Sequence, residues 1–319
     1  MKIIKELWHN LNHSWLEEKK LLKLEEEILI ESKYSLISLG TERTITTKLL
    51  DEKLAAKMKV PHMKGDFREN FTYGYSLDGK VIEGPNQLKE KYVHLMHPHQ
   101  NLVKANISDV FSIPVGISLK TACLASNMET AVNAIWDAGI ELGDKILVIG
   151  FGTIGALTSL VTKNIPGVEL TVIESDEERI ALANQHGFQV FPAMEGENYD
   201  VVFNTTGSET LLQKALEATS QEGKIIEMSW YGTREIKINL GADFHYGRKQ
   251  IISSQVSQIP KRKLDRWDYL SRKKLVFKLL KELKPDFLID REVPFSESPE
   301  FFNHLRNGKV KGTGIVIKY

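Results

Sequence analysis

Three glycines with the spacing G-x-G-x-x-G follow an apolar run near the middle of the sequence. Gly150, Gly152 and Gly155 come directly after the strand pattern KILVI (145–149) and directly before a helical pattern of small residues. In such a turn the first glycine permits the tight bend, the second lets a pyrophosphate approach the backbone, and the third lets helix and strand pack closely, with the helix N-terminus facing the phosphates. The alternative is that the glycines only allow close packing. The pattern predicts a dinucleotide site formed by Gly150, Gly152, Thr153, Ile154 and Gly155.

An acidic residue ends the next predicted strand, ELTVIE, whose last residue is Glu174. A carboxylate at this position can accept hydrogen bonds from both adenosine ribose hydroxyls, and it repels the additional phosphate of NADP. NAD is therefore the expected cofactor. The helical pattern that follows has Ser175 and Glu178 at the spacing of a capping box, and it carries Arg179. Because Arg179 could reach a phosphate, NADP is the alternative cofactor.

The composition describes a neutral chain with enough apolar residues to fold. The 319 residues include 42 basic and 42 acidic side chains, and 42% are apolar. This length suits about two domains, and zero net charge gives no general field to attract nucleic acid or an anionic membrane. The single cysteine, Cys123, excludes an internal disulfide and a metal site of several thiolates. We expect a cytoplasmic protein with a small-molecule substrate and no nucleic-acid or membrane partner, because neither a secretory signal nor a membrane-spanning run is present.

The distribution of strand and helix patterns divides the sequence into three parts. Residues 1–118 carry short strand patterns, such as residues 26–38, and indicate a mainly β domain. Residues 119–258 alternate between β-branched runs and helical patterns, which predicts an α/β domain with a doubly wound parallel sheet of the Rossmann type. Residues 259–319 begin with a basic helical pattern, and we expect this C-terminal part to return to the first domain.

Almost the whole chain resembles a known family, the medium-chain dehydrogenase/reductase superfamily. The matching segments, in order, are LISLGTE (36–42), YGYSLDGKVIEG (73–84), ASNMETAVNAIWDAGIELGDKILVIGFGTIG (125–155) and DVVFNTTG (200–207). Within it, SxGTE, the HPHQ of 97–100, NMETA and SWYG are similar to the zinc-type alcohol dehydrogenase-like branch, which includes bacteriochlorophyllide hydroxyethyl dehydrogenases. The resemblance implies a GroES-like catalytic domain before and after the Rossmann domain, and a homodimer.

The resemblance also implies further cofactor contacts. Thr130 corresponds to a position beside the nicotinamide, and Thr206 and Gly207 end the segment DVVFNTTG. Trp230 follows the fifth predicted strand, at the carboxyl edge where an open α/β sheet binds ligands. For Trp230, aromatic packing is the alternative.

The positions of the family's zinc ligands are changed in this sequence. Zinc-dependent members have cysteine, histidine, glutamate and cysteine where this chain has Ser38, Tyr75, Ser76 and Ser126. Hydroxyl groups are poor zinc ligands beside thiolate and imidazole, and LMHPHQNLVKAN leaves no room for the four-cysteine lobe that holds structural zinc. We therefore expect no metal. A replacement site on His97 and His99, two residues apart, is the alternative.

Without zinc, another group must stabilise the substrate oxygen during hydride transfer. By correspondence with the family, the pocket is lined by Thr41, Glu42, Tyr75, His97, Glu129 and Thr130. Thr41 stands where the family has a proton-relaying hydroxyl, and Tyr75 or His97 can donate to an alkoxide, the histidine titrating nearest pH 7. These three are the predicted catalytic residues. Each has a structural alternative: a turn cap for Thr41, packing behind the cofactor ring for Tyr75, and a satisfied edge histidine for His97.

The predicted function is that of a zinc-independent, NAD(H)-dependent oxidoreductase that interconverts a secondary alcohol and its ketone. An NADPH-dependent enone or quinone reductase and a non-catalytic nucleotide-binding scaffold are the alternatives. The run KRKLDRWDYLSRKK (261–274) holds seven basic and two acidic residues and could bind an anionic substrate. A solvated helix is its other interpretation.

Overall fold

The structure is a computed structural model that describes residues 2–21, 27–194, 196, 198–241 and 243–319. Its strands are β1 (Ile3–His9), β2 (Ser14–Lys20), β3 (Ile28–Ile37), β4 (Phe71–Thr72), β5 (Leu77–Glu83), β6 (Tyr92–Leu95), β7 (Leu102–Ala105), β8 (Val110–Ser112), β9 (Lys145–Ile149), β10 (Glu169–Ile173), β11 (Val190–Phe191), β12 (Tyr199–Asn204), β13 (Thr219–Glu227), β14 (Gln250–Ser253), β15 (Ile289–Pro294) and β16 (Gly314–Lys318). Its helices are α1 (Leu39–Thr47), α2 (Glu52–Met58), α3 (Leu119–Ala122), α4 (Ala125–Ala138), α5 (Thr153–Lys163), α6 (Glu177–Gln185), α7 (Glu209–Ala218), α8 (Asp243–Tyr246), α9 (Tyr269–Leu283) and α10 (Ser298–Arg306). None of the described helices combines the length and the apolar character needed to cross a bilayer.

The chain divides into two compact units. Unit 1 consists of residues 1–126 and 289–319, and unit 2 consists of residues 127–288. The sequence analysis placed residue 259 onward with the first domain, but helix α9 belongs to unit 2. Within that unit, Arg272 of α9 forms an ion pair with Glu129 of α4, and the apolar residues Val276, Phe277 and Leu280 of α9 are buried.

Unit 1 is built around strand β3, which pairs with β5, β7 and β16. The larger sheet has the order β15-β16-β3-β5-β6-β8, and a second sheet has the order β2-β1-β4. Residues Ile28 and Ile30 of β3 are fully buried and pack with the apolar side chains of β5, β6 and β7. The predicted strand 26–38 begins at Glu26, which lies outside the described residues. The sheet places Ser38 directly after β3 and Tyr75 two residues before β5.

Unit 2 contains a sheet in which every strand pairing is parallel, in the order β11-β10-β9-β12-β13-β14. The central strand β9 is buried from residue 146 to 149, as its uninterrupted apolar run predicts. Helices α5, α6 and α7 connect successive strands. Because the strands are parallel, their carboxyl ends meet at one edge, where an open α/β sheet binds ligands.

Helix α6 begins later than the predicted capping box. Its N-cap is Asp176, whose side chain accepts a hydrogen bond from the amide of Arg179 at 3.2 Å. The amides of Ser175 and Asp176 both donate to Glu174 Oε1, at 2.7 and 3.0 Å. Glu174 thus holds Ser175 in the turn before the helix, so the capping box of Ser175 and Glu178 was wrong.

Candidate active site

The glycine turn forms the first part of the site, and each glycine has its own physical reason. Gly150 has a φ of +98°, which residues with side chains rarely adopt. A Cβ on Gly155 would stand 1.9 Å from the carbonyl oxygen of Gly150, so the helix could not pack here with any larger residue. A Cβ on Gly152 would meet only Nη1 of Arg179, at 3.8 Å. The backbone at Gly152 is therefore open to a ligand.

The carboxylate of Glu174 lies against this turn. Its Oε2 accepts a hydrogen bond from the amide of Phe151 at 2.8 Å, and the residue is 7% exposed. Nη1 of Arg179 is 3.5 Å from the same Oε2. The acid and the guanidinium thus lie together at the turn, where the sequence analysis expected contacts to a ribose or a phosphate.

The end of β12 is tied to the strands on either side. Thr205 Oγ1 donates to the carbonyl of Ile149 at 2.8 Å, which links β12 to β9. The amide of Gly207 donates to Ser229 Oγ at 2.8 Å, which links β12 to the residues after β13. Gly207 also has a φ of +62°. These bonds fix the backbone around Thr206 at the carboxyl edge of the sheet.

A dinucleotide fits this edge. The first turn of α5 offers backbone amides to a pyrophosphate, the open Gly152 lets it approach, and Glu174 offers acceptors to a ribose. The predicted cofactor residues at this edge are Gly150, Gly152, Thr153, Ile154, Gly155, Glu174, Arg179, Thr206 and Gly207. Thr130 on α4 and Trp230 after β13 are half-buried elsewhere in the same unit, and their cofactor roles stay predictions.

In unit 1, three hydroxyl groups meet at Tyr75. Its hydroxyl donates to Ser38 Oγ and is also hydrogen-bonded to Thr41. Ser38 is the N-cap of α1, yet its side chain makes no capping bond and instead accepts from Tyr75. Burial raises the pKa of Tyr75 to about 12, the bonds to Ser38 and Thr41 oppose the shift, and the charge of Glu42 adds to it. Near pH 7 the hydroxyl is therefore protonated and can act as a donor.

The two remaining zinc-ligand positions carry structural hydrogen bonds. Ser76 Oγ donates to the carbonyl of Cys123 at 2.5 Å, and Ser126 Oγ donates to the carbonyl of Tyr75 at 2.9 Å. Within the described ranges, no group of three or more His, Cys, Asp or Glu side chains could hold a metal ion. Hydroxyls that already bond to each other or to the backbone do not fit the zinc of the zinc-dependent members.

His97 is buried beside a second histidine. Its Nδ1 lies 2.8 Å from the carbonyl of Pro98, and its ring stacks on His62 with 5.0 Å between centroids. Burial lowers the pKa of His97 to about 3, and the charges of His62 and Lys64 act in the same direction. The expected titration near pH 7 is therefore absent, since the buried ring stays neutral. A catalytic role for His97 stays a prediction, limited to the neutral ring.

The structure adds a buried pair that the sequence analysis did not assign to catalysis. Nε2 of His99 is 3.0 Å from Oε2 of Glu42, and Nδ1 of His99 is 2.7 Å from Ser35 Oγ. These contacts occupy both ring nitrogens of His99 and would have to break for the alternative metal site on His97 and His99 to form; that site stays an untested alternative. The sequence analysis named Glu42 as a pocket residue, but it carried no signal for the contact with His99, which lies 57 residues later.

Glu129 has the buried polar partners that an acid in an apolar setting requires. Its Oε1 lies 3.3 Å from Nε of Arg272, and its Oε2 contacts Nζ of Lys273. Nη1 of Arg272 also donates to Asn133 at 2.9 Å. Two cations of the basic run are therefore used inside unit 2 to hold α9 against α4.

The chain is similar in sequence and in fold to known dehydrogenases. It is 26% identical over 205 residues to D-guloside 3-dehydrogenase of Escherichia coli (strain K12), a match that spans 60% of this chain and only 59% of that protein. Its fold matches 2R,3R-butanediol dehydrogenase from Bacillus subtilis with a TM-score of 0.78 and 18% identity, over 100% of both chains. It matches acetophenone reductase from Geotrichum candidum in complex with NAD with a TM-score of 0.78 and 17% identity, over 100% of this chain and 98% of that one. No family model matches the chain.

The chain has the fold of the medium-chain dehydrogenase/reductases. The predicted resemblance is confirmed, and so is the predicted fold class of a Rossmann sheet with a mainly β GroES-like domain. The hydroxyl cluster of this chain departs from the pattern of the zinc-dependent members of that superfamily. Tyr75 and Ser38 stand where zinc-dependent members have ligands, and here they bond to each other.

Proposed function

We propose that this medium-chain dehydrogenase/reductase is an NAD(H)-dependent oxidoreductase that interconverts a secondary alcohol and its ketone without zinc. The observation that carries the proposal is the cluster of Tyr75, Ser38 and Thr41, which offers a protonated hydroxyl in place of a metal. The similar proteins support the class of reaction, because their names describe a guloside, a butanediol and acetophenone as substrates. Each of these names implies a secondary alcohol or a ketone.

The preference for NAD rests on Glu174. A carboxylate beside the glycine turn accepts from ribose hydroxyls and repels a phosphate on the same ribose. Arg179, 3.5 Å from that carboxylate, offsets part of the repulsion. We therefore infer a preference for NAD over NADP and not an absolute choice.

The proposed chemistry needs one proton donor. When bound, the nicotinamide supplies the hydride that reduces the carbonyl carbon. Negative charge then develops on the carbonyl oxygen, and the hydroxyl of Tyr75 turns from Ser38 Oγ to that oxygen and donates its one proton. The hydroxyls of Ser38 and Thr41 hydrogen-bond to the tyrosinate that remains, until water returns the proton. In the oxidative direction the same groups accept the proton of the alcohol.

The decisive experiment is a substrate panel with metal-free protein. The panel contains 2,3-butanediol, sorbitol, a hexopyranoside, a sugar acid and acetophenone, together with an enone and a quinone, each with both nicotinamide cofactors. We expect turnover of at least one secondary alcohol or its ketone with the NAD(H) pair, unchanged after dialysis against a chelator. Metal analysis of the same sample should find far less than one zinc per chain.

Three results would contradict the proposal. Activity that chelation abolishes and zinc restores would show that a metal is required. Reduction of the enone or quinone by NADPH, without turnover of any alcohol or ketone, would favour the reductase alternative. Tight cofactor binding without turnover of any compound in the panel would favour a nucleotide-binding scaffold.

Two finer points extend the proposal. The family resemblance leads us to infer a homodimer, which sedimentation velocity at two concentrations tests directly. The basic run leads us to infer an anionic substrate, although Arg272 and Lys273 are engaged by Glu129. If the sugar acid is turned over no faster than the neutral hexopyranoside, the inference about charge is wrong.

A further inference from the structure

A hydrogen-bonded chain of buried and half-buried side chains leads through unit 1 to the base of the Tyr75 cluster. The hydroxyl of Tyr319 is 2.7 Å from Ser35 Oγ, and Ser35 Oγ is 2.7 Å from Nδ1 of His99. Nε2 of His99 is 3.0 Å from Oε2 of Glu42, and the amide of Ser38 donates to Oε1 of Glu42 at 2.7 Å. Ser35, His99 and Glu42 are at most 1% exposed, so no solvent competes for these bonds.

The side-chain chemistry of these residues sets the direction, from donor to acceptor, of each hydrogen bond between Tyr319 and Glu42. An ionised carboxylate only accepts hydrogen bonds, so Glu42 accepts from the Ser38 amide and from Nε2–H of His99. When Nε2 carries the proton of a neutral imidazole, Nδ1 accepts, and the donor is then the hydroxyl of Ser35. Ser35 in turn accepts from the hydroxyl of Tyr319. Each bond has one donor and one acceptor, and all of them point toward Glu42.

The backbone holds the His99 ring in this orientation. The amide of His99 donates to the carbonyl of Tyr73 at 3.0 Å, and its carbonyl accepts from the amide of Leu7 at 3.1 Å. Gly74 has a φ of +128°, and a Cβ there would stand 3.1 Å from the ring. Glycine at position 74 leaves the space that the ring occupies, and the two backbone bonds fix the residue that carries the ring.

We propose that Glu42 and His99 are positioning residues of the hydroxyl cluster: the carboxylate binds the Ser38 amide and the Nε2 proton of His99, and so fixes the turn that presents Ser38 and Thr41 to Tyr75. The geometry of α1 explains how. Ser38 is the N-cap of α1, and its own amide donates to the carboxylate of Glu42 in the first turn of the helix, while its hydroxyl accepts from Tyr75. The turn and the hydroxyl cluster are thereby held by one buried acid. The effect on turnover rests on the proposed function, whereas the proton position on His99 does not.

The proton position is measured by NMR on protein with ¹⁵N-labelled histidine, where long-range correlations report which ring nitrogen carries a proton. The signal of His99 is the one missing from the spectrum of a His99→Gln variant. We expect Nε2 to be protonated in the parent protein at pH 7. In Glu42→Gln the amide oxygen must face the Ser38 amide, so the NH₂ group donates to Nε2 and the proton moves to Nδ1.

A matched substitution controls for general effects. Glu69→Gln makes the same chemical change at an exposed acid of unit 1, and it should leave the His99 signal as in the parent. A parent spectrum with the proton on Nδ1 alone would overturn the proposal. A Glu42→Gln spectrum that keeps the Nε2 proton would do the same. Because Gln has nearly the volume of Glu, a merely space-filling role predicts no change of proton position.

Turnover provides the second test. We expect Glu42→Gln to lower kcat at least tenfold while the KM for NADH stays within twofold, because the variant disturbs the proton donor and not the glycine turn. A kcat within twofold of the parent and of Glu69→Gln would overturn the positioning role. If the parent itself shows no turnover, the proposed function fails, and the NMR result alone then decides whether Glu42 sets the proton of His99.

Discussion

Replacing Tyr75 with phenylalanine tests the proposed proton donor with a change of one oxygen atom. The ring of Tyr75 packs edge-on against Tyr73, with 6.1 Å between centroids and 88° between planes, and phenylalanine keeps that contact. What is lost is the hydroxyl and its bonds to Ser38 and Thr41. A hydrogen bond of this kind contributes about 1 kcal/mol to folding, so the variant should fold.

The expected kinetic effect is much larger than the effect on stability. Removing one preorganised donor to a developing oxyanion costs about 2.7 to 4 kcal/mol, on the order of a hundredfold or more in rate. We expect the lower end of this range for Tyr75→Phe, since Ser38 Oγ no longer accepts from Tyr75 and can itself donate to the substrate oxygen. Affinity for NADH should change little, because Gly152 and Glu174 stay intact.

The assay is steady-state turnover of the best alcohol and ketone of the panel, with NADH affinity measured separately by fluorescence. Tyr73→Phe is the matched control, because the hydroxyl of Tyr73 donates to the carbonyl of Met58 at 3.3 Å and the residue is only 2% exposed. We expect Tyr73→Phe to change kcat less than threefold. If Tyr75→Phe also stays within twofold of the parent, Tyr75 is not the proton donor.

The pH profile of the parent gives an independent check of the same assignment. With its pKa raised to about 12 by burial, Tyr75 keeps its proton at every pH up to about 10. Activity in the direction of ketone reduction requires the protonated form, and it is lost only as pH rises through the pKa. A loss of kcat near pH 7 or 8 that persists in a folded protein would assign the proton to another group.

Further predictions concern the cofactor turn and His97. Glu174→Ser should weaken the binding of NADH by about 1 to 3 kcal/mol and reduce the difference in binding free energy between NADH and NADPH, both measured by fluorescence titration. If the parent protein binds NADPH more tightly than NADH, this prediction is contradicted. Gly155→Ala should abolish dinucleotide binding, because its Cβ would meet the Gly150 carbonyl at 1.9 Å, and binding as in the parent would refute the packing argument. The pKa of His97 is lowered by burial to about 3, so the unfolded chain binds its proton first and the free energy of unfolding falls as pH drops below the ordinary value near 6.5. Between pH 6.5 and 5 this loss of unfolding free energy reaches up to about 2 kcal/mol. In His97→Gln the loss should be absent when the free energy of unfolding is measured by chemical denaturation at several pH values. An equal dependence of the unfolding free energy on pH in the parent protein and in His97→Gln would contradict the buried, neutral state of His97.

The sequence predicted the Rossmann unit well because its signals are local. Gly150 and Gly155 are specified by a backbone angle and by a contact over five residues, and both reasons can be recognised within one turn. The acid at the end of β10 is also a short-range signal, since a parallel neighbour strand brings Glu174 to the glycine turn. Local constraints of this kind leave the same pattern wherever the fold occurs.

Predictions that depended on distant partners were less complete. Glu129 was expected to line the substrate pocket, but its partner Arg272 lies 143 residues later, in a helix that the sequence analysis assigned to the other domain. His97 was expected to titrate near pH 7 from its residue type, whereas burial against His62 keeps it neutral. Burial of a polar group is a property of the packed chain, and a single sequence does not record it.

The zinc-ligand positions show where residue type was informative and where it was not. The exchange of thiolate and imidazole for hydroxyls was visible in the sequence, but the use of the new groups was not. Two of them, Ser76 and Ser126, bind backbone carbonyls, while Ser38 and Tyr75 bind each other. The difference follows from position: Ser38 is the N-cap of α1, its amide donates to Glu42, and its hydroxyl makes no capping bond and accepts from Tyr75. Because the hydroxyl of Ser38 makes no capping bond, it can take part in the Tyr75 cluster, while the buried acid Glu42 holds the amide of the same serine.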